Sequence, residues 1–294
     1  MSHVLRIARA SRFGILSAFA LLALVFVGSP ALAESWEQIP PNPRIGIEYI
    51  EPTSPGLINV YKALKARKVL EEMQRFYSPL DLPHHLTFVA RECGVVNAWY
   101  DPVARSITIC YEITAYDMKI APETVSDDGL ITREGVIVGD FIGTFLHESG
   151  HMMFHMYNAP VYGREEDAAD EMAIFLALRA NKEIERTVVK GIIYFWSKGK
   201  DPAGEFSDQK QYSDEHGTAS QRMYNSLCLA YGGDPKEFQV FIDKGWLPKK
   251  RAEHCAAEYA RLKVAFEKTI EPFLDQDLLA RVAKTDWLTP EELK

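Results

Sequence analysis

The stretch FLHESGHMMFH, Phe145 to His155, places three histidines and one glutamate within nine positions. On a helix, residues i and i+4 share a face, so His147 and His151 can reach one metal ion. His-Glu-x-x-His is a zinc hydrolase pattern when it is helical. Glu148 then sits beside the open side of the metal, where it can take a proton from a bound water. A wet polar helix face, or chance, would give the same letters, so the surroundings must decide. Turning about 100° per residue from His147 gathers Ile142, Phe145, Met152, Met153 and Met156 on the opposite side. Asp140, Gly143 and Thr144 share the histidine side. That is the pattern of a cleft floor laid over a core. His155 lies one turn further along. Ligands at i, i+4 and i+8 of a straight helix would span roughly 12 Å, so His155 is read as a cleft-wall or surface residue.

A third ligand is available shortly after. GREEDAADEMA (163–173) carries five carboxylates in seven positions. Acids also suit the positive end of a helix, so a solvated first turn accounts for some of them.

The elements that would position these groups follow from periodicity. RIGIEYIEP (44–52) alternates like a strand, and 56–77 has the three-to-four spacing of a helix. HLTFVAREC (85–93) and SITICYE (106–112) alternate with period two. YDPVAR between them carries a turn signal, so the pair is expected to form an antiparallel hairpin. Beyond 136 the pattern is helical, over 136–157, about 164–180, 183–197, 217–231, 234–243 and 248–274. Strands early and helices late give an α+β class, with a small antiparallel sheet followed by a mostly helical region.

The chain of 294 residues suits one large domain or two small ones. Its net charge of −8 lacks the clustered Lys and Arg of a nucleic-acid surface. Arg6, Arg9 and Arg12, the apolar run Phe13–Val27 and the small residues GSPALA read as a signal peptide over 1–33, cut after Ala33. The apolar run is shorter than the ~20 residues of a membrane-spanning helix, so an uncleaved anchor is the lesser alternative. Residues 34–294 are then a single exported domain, periplasmic or secreted, with no later membrane span. Removing the segment leaves 30 basic against 41 acidic side chains. The four cysteines lie beyond it, and an even number in an exported protein suggests disulfides. Of three pairings, Cys93–Cys110 and Cys228–Cys255 are favoured, because each pair flanks what reads as one hairpin. No C-x-x-C spacing supports a zinc cluster of cysteines.

The motif pair HESGH and Glu166-Asp167-Ala168-Ala169-Asp170 resembles the gluzincin metallopeptidases. These include the thermolysin group and the CAAX-protease and heat-shock-protease group. The resemblance implies a zincin-like fold, zinc as cofactor, a peptide or protein substrate, and Glu166 as third ligand. It also implies that Asp170 orients the first histidine from behind. NAWY (97–100) is similar to the edge-strand segment that binds substrate backbone in the thermolysin group, which points to Asn97 and Ala98. The plain alternative for Asn97 is a turn in a disulfide-closed hairpin. CGVVNAWYDP, ITICYE, HESGH, GREEDAAD and QRMYNSLCLAYG further resemble an uncharacterised bacterial metallopeptidase-like family, over nearly all of 85–260. The step of 15 positions from His151 to Glu166 is shorter than in most gluzincins.

Glu171 is the rival ligand. With Ala169 at zero on the apolar stripe Ala169, Met172, Ala173 and Leu176, Glu166 falls at about +60° and Asp170 at about +100°. Glu171 falls near 200°, on the far side. Glu165 also faces inward but has no acid one turn later, so Glu166 is preferred. His216, just before a helix and beside Asp214 and Glu215, resembles the oxyanion-binding histidine of the thermolysin group, with Arg222 as its rival. The expected function is an exported zinc metallopeptidase with Glu148 and His216 catalytic. A zinc-binding module without activity, or a zinc amidase acting on cell-wall peptide, are the alternatives.

Overall fold

The computed structural model describes residues 35–126, 130–199 and 213–287. The expected signal segment, 1–33, lies outside the described residues. No helix among the described residues is long and apolar enough to cross a membrane.

Four strands form one sheet: β1 (Ile45–Tyr49), β2 (Leu86–Arg91), β3 (Ala98–Asp101) and β4 (Ser106–Cys110), in the order β1-β2-β4-β3. β1, β2 and β4 run parallel, and only β3 is antiparallel to β4. The class is α+β as expected, but the pairing of 85–93 with 106–112 is corrected. The YDPVAR turn reverses the chain between β3 and β4, where Asp101 Oδ1 accepts from the backbone of Val103 and Ala104. β2 instead pairs parallel in the sheet centre. Its Phe88, Val89 and Ala90 are all buried in a row, which marks a strand covered on both faces.

The helices are α1 (Ile58–Ala66), α2 (Val69–Phe76), α3 (Tyr111–Ile120), α4 (Arg133–Met156), α5 (Glu165–Ala177), α6 (Lys182–Lys198), α7 (Ala219–Gly233), α8 (Gln239–Asp243), α9 (Lys249–Thr269) and α10 (Gln276–Val282). The single helix expected over 56–77 is broken at Lys68, whose φ of 58° is left-handed. α3 and α10 were not foreseen. Tyr111 and Glu112 continued the strand pattern in the sequence but begin α3.

α4 is the central helix, packed against α3, α5 and α6 and against β3 and β4. Its back carries Phe145, Met152, Met153 and Met156, all buried. Phe145 meets Phe88 of the sheet edge-to-face at 4.6 Å. The α4–α6 crossing needs glycine. A Cβ on Gly139 would lie 2.1 Å from the Thr187 carbonyl oxygen, and one on Gly191 would lie 2.5 Å from the Asp140 amide nitrogen. Both obstacles are backbone, which cannot swing aside. Thr132 caps α4 by accepting from the Gly135 amide. Disulfides join Cys93 to Cys110 and Cys228 to Cys255.

Replacing Gly191 by valine should therefore force the two helices apart. We expect a loss of about 2–3 kcal/mol, typical of overpacking, read from urea unfolding. An unchanged midpoint would show that the crossing tolerates a side chain.

Candidate metal centre

α4 brings His147, Glu148 and His151 to the floor of a cleft of about 790 Å³. α5 returns beside α4 and adds Glu165, Glu166 and Asp170. Their approach is set by small residues: a Cβ on Gly150 would stand 3.0 Å from the Ala169 Cα. The glycine of HESGH thus lets α5 lie close enough for its acids to reach the histidines.

The Nε2 atoms of His147 and His151 are 3.3 Å apart. Glu166 places Oε2 at 3.1 Å from the first and Oε1 at 3.4 Å from the second. Each histidine is held from behind by its other nitrogen. His147 Nδ1 lies 2.9 Å from Asp170 Oδ1, and His151 Nδ1 lies 2.8 Å from Glu165 Oε1. A carboxylate can only accept, so both Nδ1 atoms carry the proton. In the neutral rings both Nε2 atoms then present lone pairs to each other and to the Glu166 carboxylate. Three acceptors converge with no hydrogen of their own between them. Glu166 Oε2 is buried without a well-aligned donor. Such a donor set fits a cation, and this His-His-Glu group can bind a metal ion.

The proton affinities express the same demand. With a proton in the cation's place, burial opposes the charge on His147, but Asp170 and Glu166 beside its two nitrogens outweigh it and lift the imidazole to about 9. Burial also opposes the Glu166 charge, yet His147, His151 and His216 around it hold it well below the usual carboxylate range. Glu148 is buried beside them and pushed up by that burial, while the Tyr100 backbone bonds to its carboxylate.

Behind the histidines, Asp170 is gripped by Arg222. Nε lies 2.6 Å from Oδ2 and Nη2 lies 2.5 Å from Oδ1. The guanidinium lies over the Trp196 ring at 3.9 Å. Arg222, the rival of His216 for the substrate oxyanion in the sequence, is thus spent on Asp170 because α7 passes behind α5. His216 does face the centre, with Nε2 at 3.0 Å from Glu166 Oε2 and Nδ1 at 2.9 Å from Asp214. Glu171 is not among the residues that line the cleft, and burial, then Glu258 of α9, pushes its carboxyl up.

Asn97 and Ala98 line the cleft opposite α4. The Asn97 carbonyl accepts from the Cys110 amide. Backbone groups alternate along a strand, so Ala98 and Tyr100 turn theirs away from β4 and towards the cleft. The Tyr100 hydroxyl meets His155 Nδ1 at 2.8 Å, which places His155 in the cleft wall. Two partners escaped the sequence reading: Glu165 behind His151, and Trp196 under Arg222. The first carried a signal, the inward angle of Glu165. The second carried none.

Residues 49–270 match the model of a family described as "Putative metallopeptidase", and the chain belongs to that family. The description points to a metal-dependent peptidase. No curated protein and no solved structure matches the chain.

The carboxylates behind the histidines should govern metal affinity. Asp170→Asn is expected to weaken binding of a divalent ion about 10–100-fold. Glu165→Gln should cost less, since that side chain is 56% exposed. Glu171→Gln should change nothing. Competition against a fluorescent chelator measures all three, and equal affinities throughout would remove Asp170 from its place.

Proposed function

We propose that the chain is an exported zinc peptidase of the gluzincin type, with zinc held by His147, His151 and Glu166. The observation that carries this reading is the meeting of three lone-pair donors beside a buried carboxylate, Glu148, in an open cleft. A site built only to hold metal has no need of that fourth group. The metal would polarise the scissile carbonyl and activate the attacking water. Export is supported by the basic-apolar segment at the start of the sequence and by the two disulfides.

Glu148 takes a proton from the water as its oxygen bonds to the carbonyl carbon. The same carboxyl then gives that proton to the leaving amine as the C–N bond breaks. Burial suits Glu148 to both halves, because a raised proton affinity makes a stronger base and keeps the acid form within reach. His216 faces the centre with Asp214 on its other nitrogen. The neighbouring Glu166 raises its proton affinity, burial works against that rise and Asp214 adds to it, so it can offer an N–H to the developing oxyanion. Substrate backbone adds to the outward edge of β3 through Ala98 and the Tyr100 carbonyl, the Tyr100 N–H being held by Glu148. Asn97 contributes its side-chain amide. Arg222 acts through Asp170, as a positioning residue.

The test is zinc-loaded protein on a peptide mixture, with and without chelator. Glu148→Gln should keep its metal and lose hydrolysis by about 10²–10⁴-fold, the usual worth of a general acid-base group. His216→Ala should lower kcat by about 10²–10³-fold. A Glu148→Gln protein as active as wild type would overturn the assignment. No hydrolysis by metal-loaded wild type would return the chain to a binding module.

A further inference from the structure

Two turns before His147, α4 carries Asp140 on the same face. Seven residues at 1.5 Å each place it roughly 10 Å along the cleft from the first histidine. It is 3% exposed and lines the cleft. Directly behind it, on α3, lies Asp117, with no exposure at all. Asp140 Oδ2 and both oxygens of Asp117 meet no hydrogen-bond donor group among the described residues. Thr114, one turn earlier on α3, is also buried with its hydroxyl unpartnered. Arg222, whose charge bears on Asp140, already gives two bonds to Asp170.

Two carboxyls in contact out of water cannot both ionise. Burial, then the neighbouring Asp140, pushes the Asp117 carboxyl far up, so that it keeps its proton and donates it to Asp140. Asp140 is also raised by burial, though the bond from Asp117 and the Arg222 charge work against that rise. The pair therefore holds one proton and at most one negative charge. That charge sits at the inner end of the cleft, facing it through Asp140.

The walls above it are apolar. Ile113 of α3, and Ile192 and Phe195 of α6, line the same cleft as Asp140. Gly143, between Asp140 and His147, lets the Ile192 side chain pack directly on α4, where a Cβ would stand 2.4 Å from it. Apolar walls over an acidic floor fit a side chain with an aliphatic stem and a cationic tip. An extended lysine reaches roughly 6 Å from its Cα. A residue next to the scissile bond can therefore bring its ammonium to Asp140.

We infer that Asp140, backed by Asp117, selects substrates with lysine or arginine in the residue that enters this pocket beside the scissile bond. The inference rests on the peptidase reading for its substrate class. The acid pair is a specificity determinant, and it takes no part in bond breaking.

The experiment compares peptides that differ at one residue next to the cleaved bond: lysine, arginine, or norleucine, which keeps the stem and lacks the charge. Two readouts are taken. One is kcat/KM with the zinc-loaded wild type. The other is equilibrium affinity for the zinc-loaded Glu148→Gln protein by fluorescence anisotropy, which needs no turnover. Lysine and arginine peptides should exceed norleucine by at least about tenfold in both, the lower end for a desolvated charge pair. Adding Asp140→Asn should bring the lysine and norleucine peptides to within about twofold. Equal wild-type values for lysine and norleucine would overturn the inference without any variant having to fold. So would a preference that survives Asp140→Asn. Lysine-selective binding with no cleavage of any peptide would leave the pocket assignment standing and overturn the peptidase reading instead.

Discussion

A carboxylate out of water must be paired, and in this protein the one that matters is Asp170. It takes His147 Nδ1 on one oxygen and the Arg222 guanidinium across both. Leaving such a group with a missing partner costs more than the pair contributes when intact. Its partners come from different elements: His147 from α4, Arg222 from α7, and the Trp196 ring beneath the guanidinium from α6. Asp170 itself is on α5. Four helices are therefore fixed relative to one another at a single side chain. The metal-facing nitrogen of His147 is aimed by the same arrangement. Stability of the helical layer and geometry of the centre cannot be separated here.

Such a junction requires close helices, and the sequence supplies small residues where they meet. Gly150 against Ala169 joins α4 to α5, and Gly139 against Gly191 joins α4 to α6. Both disulfides stand behind cleft elements and not in the centre. Cys93–Cys110 closes the connection that leads into β3, the strand opposite the histidines. Cys228–Cys255 ties α7, which carries Arg222, to α9. Cys93 and Cys110 also lie near Glu112, but sulfur bonded to sulfur leaves no thiolate to hold an ion.

What could be seen in the sequence was what depends on the period of one helix. The spacing of His147 and His151, the apolar back of α4 and the buried stripe Ala169, Met172, Ala173 of α5 all follow from 3.6 residues per turn. The inward angle of Glu166 and Asp170 follows from the same rule. Glu165 has no acid one turn later along its own helix, because its partner is His151 across the helix pair. The place of Arg222 is not legible in the sequence, since sequence distance does not tell that α7 passes behind α5. β2 and β4 both carry the alternation of half-buried strands, which suggests a hairpin where the structure has a parallel pair. The four-residue β3 between them was too short to show a period. Asp117 escaped altogether, since its partner lies on another helix and α3 had no clear pattern of its own.

The face of α4 that lines the cleft reads Asp140, Thr144, His147, His151, His155, at steps of three and four. One stiff element thus carries the acidic floor of the side pocket, the two imidazoles and the wall residue that meets Tyr100. Its other face is clamped by Phe145, Met152 and Met153 in the core. Close-packed interiors do not let such a helix slide or rotate by small amounts. Distances along the cleft are therefore multiples of the helical rise, set when α4 folds and independent of the loops around it. Loops can then vary at the cleft mouth without disturbing the spacing between the reacting bond and the pocket that reads the neighbouring side chain. A substrate long enough to reach Asp140 is measured against the backbone of a single helix.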